Sequence, residues 1–208
     1  TAPDIDAGSS SVTLSAGDTA TDDPPLTISA NAGVVATGGL QLTADHMTIA
    51  AAVNAGSNTI EFRQFQGGTL INLGGADAAN TLGLTAAELG FITAGVRRIG
   101  SAVSGAIRGG GAGPANTVLS GNFAFVSGPT LSFDIAGLGQ GTQYDLLATN
   151  GTIDLGNVTL GLSFSFTPAV GDSFNIVAAA GGLTGTFNGI ADNDVITVNS
   201  QTFRVDYT

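Results

Sequence analysis

The chain has 208 residues with 32 glycines, eleven phenylalanines, no tryptophan and no cysteine, and 43% of it is hydrophobic. That composition excludes a charge-rich disordered chain, and the missing cysteines exclude disulfides and thiolate metal sites. Sixteen acidic residues stand against five basic ones, all arginine, for a net charge of −11, which argues against nucleic acid and anionic membrane surfaces as partners because neither gains counterion release from such a surface.

Residues 1–25 read as an N-terminal extension. Val12 and Leu14 alternate with Ser11, Thr13 and Ser15, which predicts one strand over 11–15. It is either an edge strand of its own chain or a strand donated to a neighbouring subunit. The stretch from Gly17 to Pro24-Pro25 reads as a linker. The opening Thr1-Ala2-Pro3-Asp4 has neither the basic nor the apolar region of a secretory leader. The expectation is a mature form or a piece of a longer chain. No apolar run reaches the length of a membrane-spanning helix, so no membrane insertion is expected.

A first β block is predicted over 26–108. Its strands alternate apolar and polar residues at 26–28, 40–42, 47–49 and 59–63, with a further candidate at 70–73. Gly38-Gly39, Asn54-Ala55-Gly56-Ser57-Asn58 and Gly67-Gly68 punctuate them. A short helix is predicted near 85–93, opened by a Thr85–Glu88 capping box, with Leu84, Leu89 and Ile92 on one face. Residues 109–116 form a Gly-rich loop. The second block, 117–208, should carry strands at 122–126, 130–135, 144–148, 152–155, 158–166, 173–177, 195–198 and 202–207. It holds most of the phenylalanines and is expected to contain the better-packed core. Strands every eight to twelve residues fit a sandwich, a barrel or a solenoid.

Two stretches resemble known material. Leu42-Thr43-Ala44-Asp45-His46-Met47-Thr48-Ile49, with Gly74-Gly75-Ala76-Asp77 and Leu82-Gly83-Leu84-Thr85-Ala86-Ala87-Glu88-Leu89, resembles a repeat of large filamentous-haemagglutinin-like bacterial exoproteins. Gly141-Thr142-Gln143-Tyr144-Asp145-Leu146-Leu147, Thr152-Ile153-Asp154-Leu155, the run from Phe166 to Val177, and Gly185-Thr186-Phe187 are similar to C-terminal passenger repeats of autotransporter-type proteins. The resemblance covers roughly residues 40–205. It implies an all-β chain wound as a right-handed parallel β-helix, or β-solenoid, displayed outside the bacterial cell as a stalk or adhesin. Such passengers continue into an outer-membrane barrel, and direct attachment to one is not expected of this stretch. A β-sandwich is the alternative fold.

No catalytic, cofactor-binding or metal residue is assigned. His46 is the only histidine and has no second imidazole to join, so a surface or turn position is expected. Asp22-Asp23 and Asp192-Asn193-Asp194 could offer hard oxygen ligands to Ca²⁺, but the Gly-Gly-x-Gly-x-Asp repeat is absent and solvated turns are expected. Glu61 and Arg63 share one strand face and can pair across strands. Arg97, Arg98 and Arg108 form the one basic concentration, with Arg98 expected to cap the helix or meet Asp77 or Glu88. Tyr144 is expected in the core. Asn150-Gly151-Thr152 and Asn157-Val158-Thr159 match the glycosylation triplet by chance. The sequence thus points to a non-enzymatic extracellular structural module without cofactors. Its expected partners are further copies of itself, neighbouring domains of a longer chain, or a host or matrix glycan. A self-assembling filament subunit is the alternative. An enzyme acting on acidic polysaccharide and a carbohydrate-binding module rank below both.

Overall fold

The computed structural model of the chain describes residues 5–17, 24–110 and 113–207. The chain advances in short units, each placing strands into up to three series of parallel pairings. The first unit holds β1 (Ile5–Asp6), β2 (Val12–Ser15) and β3 (Leu26–Ile28). The second holds β4 (Val34–Val35), β5 (Leu40–Thr43) and β6 (Met47–Ile49). The third holds β7 (Val53–Asn54), β8 (Thr59–Arg63) and β9 (Leu70–Leu73), then an insertion of β10 (Thr81–Leu84) and helix α1 (Ala86–Gly90). The fourth holds β11 (Ile92–Thr93), β12 (Val96–Ile99) and β13 (Ile107–Gly109). The fifth holds β14 (Asn116–Leu119), β15 (Phe123–Phe125) and β16 (Thr130–Ile135). The sixth holds β17 (Leu146–Thr149), β18 (Ile153–Asp154) and β19 (Thr159–Phe164). The last holds β20 (Val177–Ala179) and β21 (Leu183–Thr184), followed by a hairpin of β22 (Val195–Val198) and β23 (Gln201–Arg204).

Second strands of all units join one seven-stranded sheet, β2-β5-β8-β12-β15-β18-β21. First strands form β1-β4-β7-β11 and, separately, β14-β17-β20. Third strands form β3-β6 and β10-β9-β13-β16-β19. Only β22 and β23 pair antiparallel; every other pairing between these strands is parallel. The chain is therefore nearly all-β with mostly parallel sheets, which does not clearly fit the sandwich alternative, an antiparallel architecture.

Side chains alternate across each strand, so register turns alternation into columns. Leu42, Phe62, Ile99 and Phe125 lie over one another in the long sheet, all buried. Ile71, Ile107 and Leu131 form a second buried column, which Leu160 extends. Outward positions Thr13, Gln41, Glu61 and Arg98 form a polar row on the other face of the long sheet.

The described strands within 1–25, β1 and β2, pair with β4 and β5 of the same chain, so β2 is the expected edge strand, engaged along one side; residues 18–23 of the expected linker lie outside the described residues. Two expectations need correction. The Gly-rich stretch 109–116 does not divide the sheets, because β12 pairs with β15 and β13 with β16 across it, and Gly109 and Asn116 themselves end and begin strands. The best-packed core is not in the Phe-rich block. Most of the fully buried large side chains, among them Phe62, Leu42, Met47 and Leu84, come before residue 109. Phe164, Phe166, Phe174 and Phe203 are only half-buried, because they gather where the stack of sheets ends.

Tight stacking shows at Gly156, which follows β18. Its φ is +57°, and a Cβ there would lie 1.8 Å from the Phe125 carbonyl oxygen of the unit before. Gly189 has a similar φ of +68° with open space around it. Gly189→Ala should therefore cost only the left-handed backbone penalty, about 1–2 kcal/mol. Gly156→Ala should cost clearly more in urea unfolding, because a backbone carbonyl must also move; equal losses would contradict this stacking.

Candidate functional site: a carboxylate seam and a C-terminal cavity

The third-strand series breaks between β6 and β10, which lie side by side without pairing. Bonds from Leu26 N–H to His46 O and from Ala50 N–H to Ile28 O tie β6 to β3. Alternate amides of β6, Met47 and Ile49, therefore face the other edge. Two carboxylates from the insertion meet them. Asp77 Oδ2 accepts from Met47 N–H at 3.0 Å, and Oδ1 accepts from Gly83 N–H of β10 at 2.6 Å. Glu88 Oε1 accepts from Ile49 N–H at 3.2 Å, and Oε2 accepts from Thr85 N–H at 3.0 Å and from the Thr85 hydroxyl at 2.7 Å. Thr85 Oγ in turn accepts from Glu88 N–H, which completes the predicted capping box around α1. Each carboxylate thus bridges an edge amide of β6 to an amide at or just after β10.

Burial raises the Asp77 carboxyl above its ordinary value, and the Glu88 charge adds to the rise. The Gly83 and Met47 amides and His46 pull the other way. Asp145, just before β17 and away from the two breaks, also bonds two backbone amides. Its Oδ1 accepts from Ala115 N–H at 2.7 Å and its Oδ2 from Asp134 N–H at 2.6 Å. Burial raises this carboxyl too, against the pull of those two amides and of Arg108. Buried Asp45 accepts from Phe65 N–H and Gln66 N–H.

A cation does the complementary task where the first-strand series breaks between β11 and β14. Phe91 O and Thr93 O accept from β7 and its following residue, so Ile92 O turns to the opposite edge. Arg97 Nη2 donates to it at 2.6 Å. Arg97 is 7% exposed and lies inward, in register with Ile60 and Phe123, with its guanidinium 5.7 Å from the Phe123 ring centroid. Burial lowers its pKa, and its Nε has no hydrogen-bond partner among the described residues.

The other predicted candidates fall in separate places. His46 Nε2 lies 3.1 Å from Ala78 O, beside the seam. Glu61 pairs with Arg63 at 2.5 Å and with Arg98 at 3.0 Å on the outer face of the long sheet. Arg98 therefore meets Glu61 rather than the helix, Asp77 or Glu88. In the acidic turn, Asp194 accepts from Ala191 N–H, while Asp192 accepts from the Asn193 side chain and Tyr207 N–H. Asp22 and Asp23 lie outside the described residues. Tyr144 is buried, with its ring edge-on to Phe174 at 5.3 Å. Asn150 is exposed, with Oδ1 accepting from Gly121 N–H, and Asn157 is an exposed turn residue at φ 65°. Among the described residues no three His, Asp or Glu side chains are grouped to hold a metal ion.

A second feature lies at the far end, where β22 and β23 fold over β19, β20 and β21. The hairpin turns on Asn199 and Ser200, both at positive φ, and its strands pair only with each other. It is held to the body by Phe203, stacked on Phe164 at 5.0 Å, and by Tyr207. The Tyr207 hydroxyl donates to Ile190 O and accepts from Phe187 N–H. A cavity of about 450 Å³ remains beneath it.

In comparisons with protein-family models, curated proteins and solved structures, nothing matches the chain.

Asp77→Asn replaces one of two acceptors with a donor and leaves an amide at the seam unmatched, so unfolding at pH 7 should show a loss of about 1–3 kcal/mol. The pH dependence has a definite sign. A folded carboxyl value above 3.8 means that the contribution of Asp77 to stability is full below 3.8 and is lost as pH rises through the folded value. The stability gap between wild type and Asp77→Asn should widen between pH 7 and pH 3; a gap that narrows contradicts burial as the dominant influence.

Proposed function

We propose that the chain is a right-handed parallel β-helix segment serving as an extracellular structural module, a stalk or adhesin segment of a bacterial surface or secreted protein. The observation that carries this reading is the strand order. Successive units each add one strand to the same seven-stranded parallel sheet. In the C-terminal part the partners recur 30 residues apart, as Asn122 and Thr152 do, and β15, β18 and β21 follow that step. A coil that climbs one ladder spacing per unit, about 4.8 Å, produces this order directly. The likeness to haemagglutinin-type and passenger repeats supports the extracellular setting. A non-enzymatic role is supported by the use of the carboxylates: buried Asp45 and Asp145, and Asp77 at the seam, bond the chain's own amides.

A second reading, a filament subunit, draws on β2, whose outer edge pairs with no strand among the described residues. Donating β2 to a neighbour would give up its pairing with β5, and the terminal hairpin stands in the way of stacking at the other end. Sedimentation velocity separates the two readings: the module stays monomeric as concentration rises, and a filament subunit grows. For the leading reading, antibody against the chain should label intact cells of the source bacterium. Labelling that appears only after the cells are permeabilised would rule out surface display.

A further inference from the structure

We propose that the cavity beneath the C-terminal hairpin is a binding site for a small, neutral aromatic molecule. The argument starts from a core left unfinished. In β16, Leu131, Phe133 and Ile135 are 1–2% exposed. Their register partners one unit later, Leu160, Leu162 and Phe164, are only half-buried, although a hairpin lies over them. The hairpin closes the end by its rim and leaves a cavity of about 450 Å³ between Leu160, Leu162, Phe164, Phe174, Ile196 and Phe203. That volume lies within the range of small-molecule pockets.

Ring geometry defines what would fit. Phe174 stands edge-on to Phe164 at 5.8 Å and is steeply inclined to Phe203 at 6.4 Å, so rings of two orientations line the wall. Aromatic ligands gain from offset-stacked and edge-to-face contacts of this kind. Charge narrows the class further. Asp172, Arg204 and Asp206 also line the cavity, with Asp172 Oδ2 held by Ala169 N–H, in a chain of net charge −11. Two carboxylates against one guanidinium disfavour an anionic amphiphile. The hairpin pairs with no other strand, so its displacement to admit a ligand breaks no ladder bond to the body of the protein.

The test is titration of the whole chain with Nile red, a neutral aromatic dye. Saturable one-to-one binding with a blue-shifted emission is expected, and Leu162→Trp, which fills the cavity, should weaken it at least tenfold. Val195→Ser, on the exposed side of the hairpin, should leave it unchanged. In wild type, dye-induced methyl shifts should be confined to residues lining the cavity, such as Leu160, Leu162, Ile176, Leu183 and Ile196, a readout that does not depend on any variant folding. Absence of saturable binding, unchanged affinity in a folded Leu162→Trp, or methyl shifts elsewhere overturns the proposal. So does a dimer that takes up no dye, since a second copy would then cover the rings.

Discussion

A parallel sheet that stops inside a protein leaves a row of amides and carbonyls with nothing to bond, and each buried group left so costs about 1–3 kcal/mol. The rest of this structure depends on how that row is satisfied. The long second-strand sheet runs through every unit and meets the difficulty only at its two ends. The first- and third-strand series break within the chain, at β11–β14 and at β6–β10. At those breaks charged side chains take the place of the missing strand. Asp77 and Glu88 accept from the amides of β6 and its neighbour, and Arg97 donates to the Ile92 carbonyl of β11.

This arrangement gives the acidic composition two jobs. Exposed carboxylates add like-charge repulsion between copies of a β-rich chain, whose open strand edge is otherwise a template for pairing. The buried ones are part of the backbone's hydrogen bonding. A carboxylate suits the task because it offers two acceptor oxygens and no donor, so one side chain can meet amides on both sides of a gap. Desolvation of Asp77 and Asp145 is the counterweight, visible in their raised carboxyl values. A seam closed by carboxylates also cannot be mistaken for a ladder: no strand of another chain pairs there without first displacing them.

Local signals in the sequence were legible and distant ones were not. Alternation at 40–42, 47–49 and 59–63 marked strands that exist, and Thr85-x-x-Glu88 marked a capping box that exists, because both depend on neighbouring residues. The further use of Glu88 at Ile49, and the whole role of Asp77, depend on β6 and β10 lying together across some 30 residues of chain, which no local pattern encodes. The two-residue strands β4, β7 and β11 carry too little pattern to be read. Arg97 could have been found. Val96-Arg97-Arg98-Ile99 does not alternate, but any strand there puts one arginine on each face, and Arg97 shares the parity of buried Ile99. The phenylalanines misled because burial follows position in the stack: the same ring type is buried at Phe133 and half-buried at Phe164.

Asp77, Glu88 and Arg97 are engaged in holding the sheets' broken edges. The direct measure of that claim is amide hydrogen exchange by NMR at Met47 and Gly83. Both amides should exchange as slowly as those inside β5 and β8. In Asp77→Ala they should exchange faster by about tenfold or more, while Ile49 and Thr85, held by Glu88, stay slow. Fast exchange at Met47 and Gly83 in the wild type, or no change when Asp77 is removed, would contradict the account.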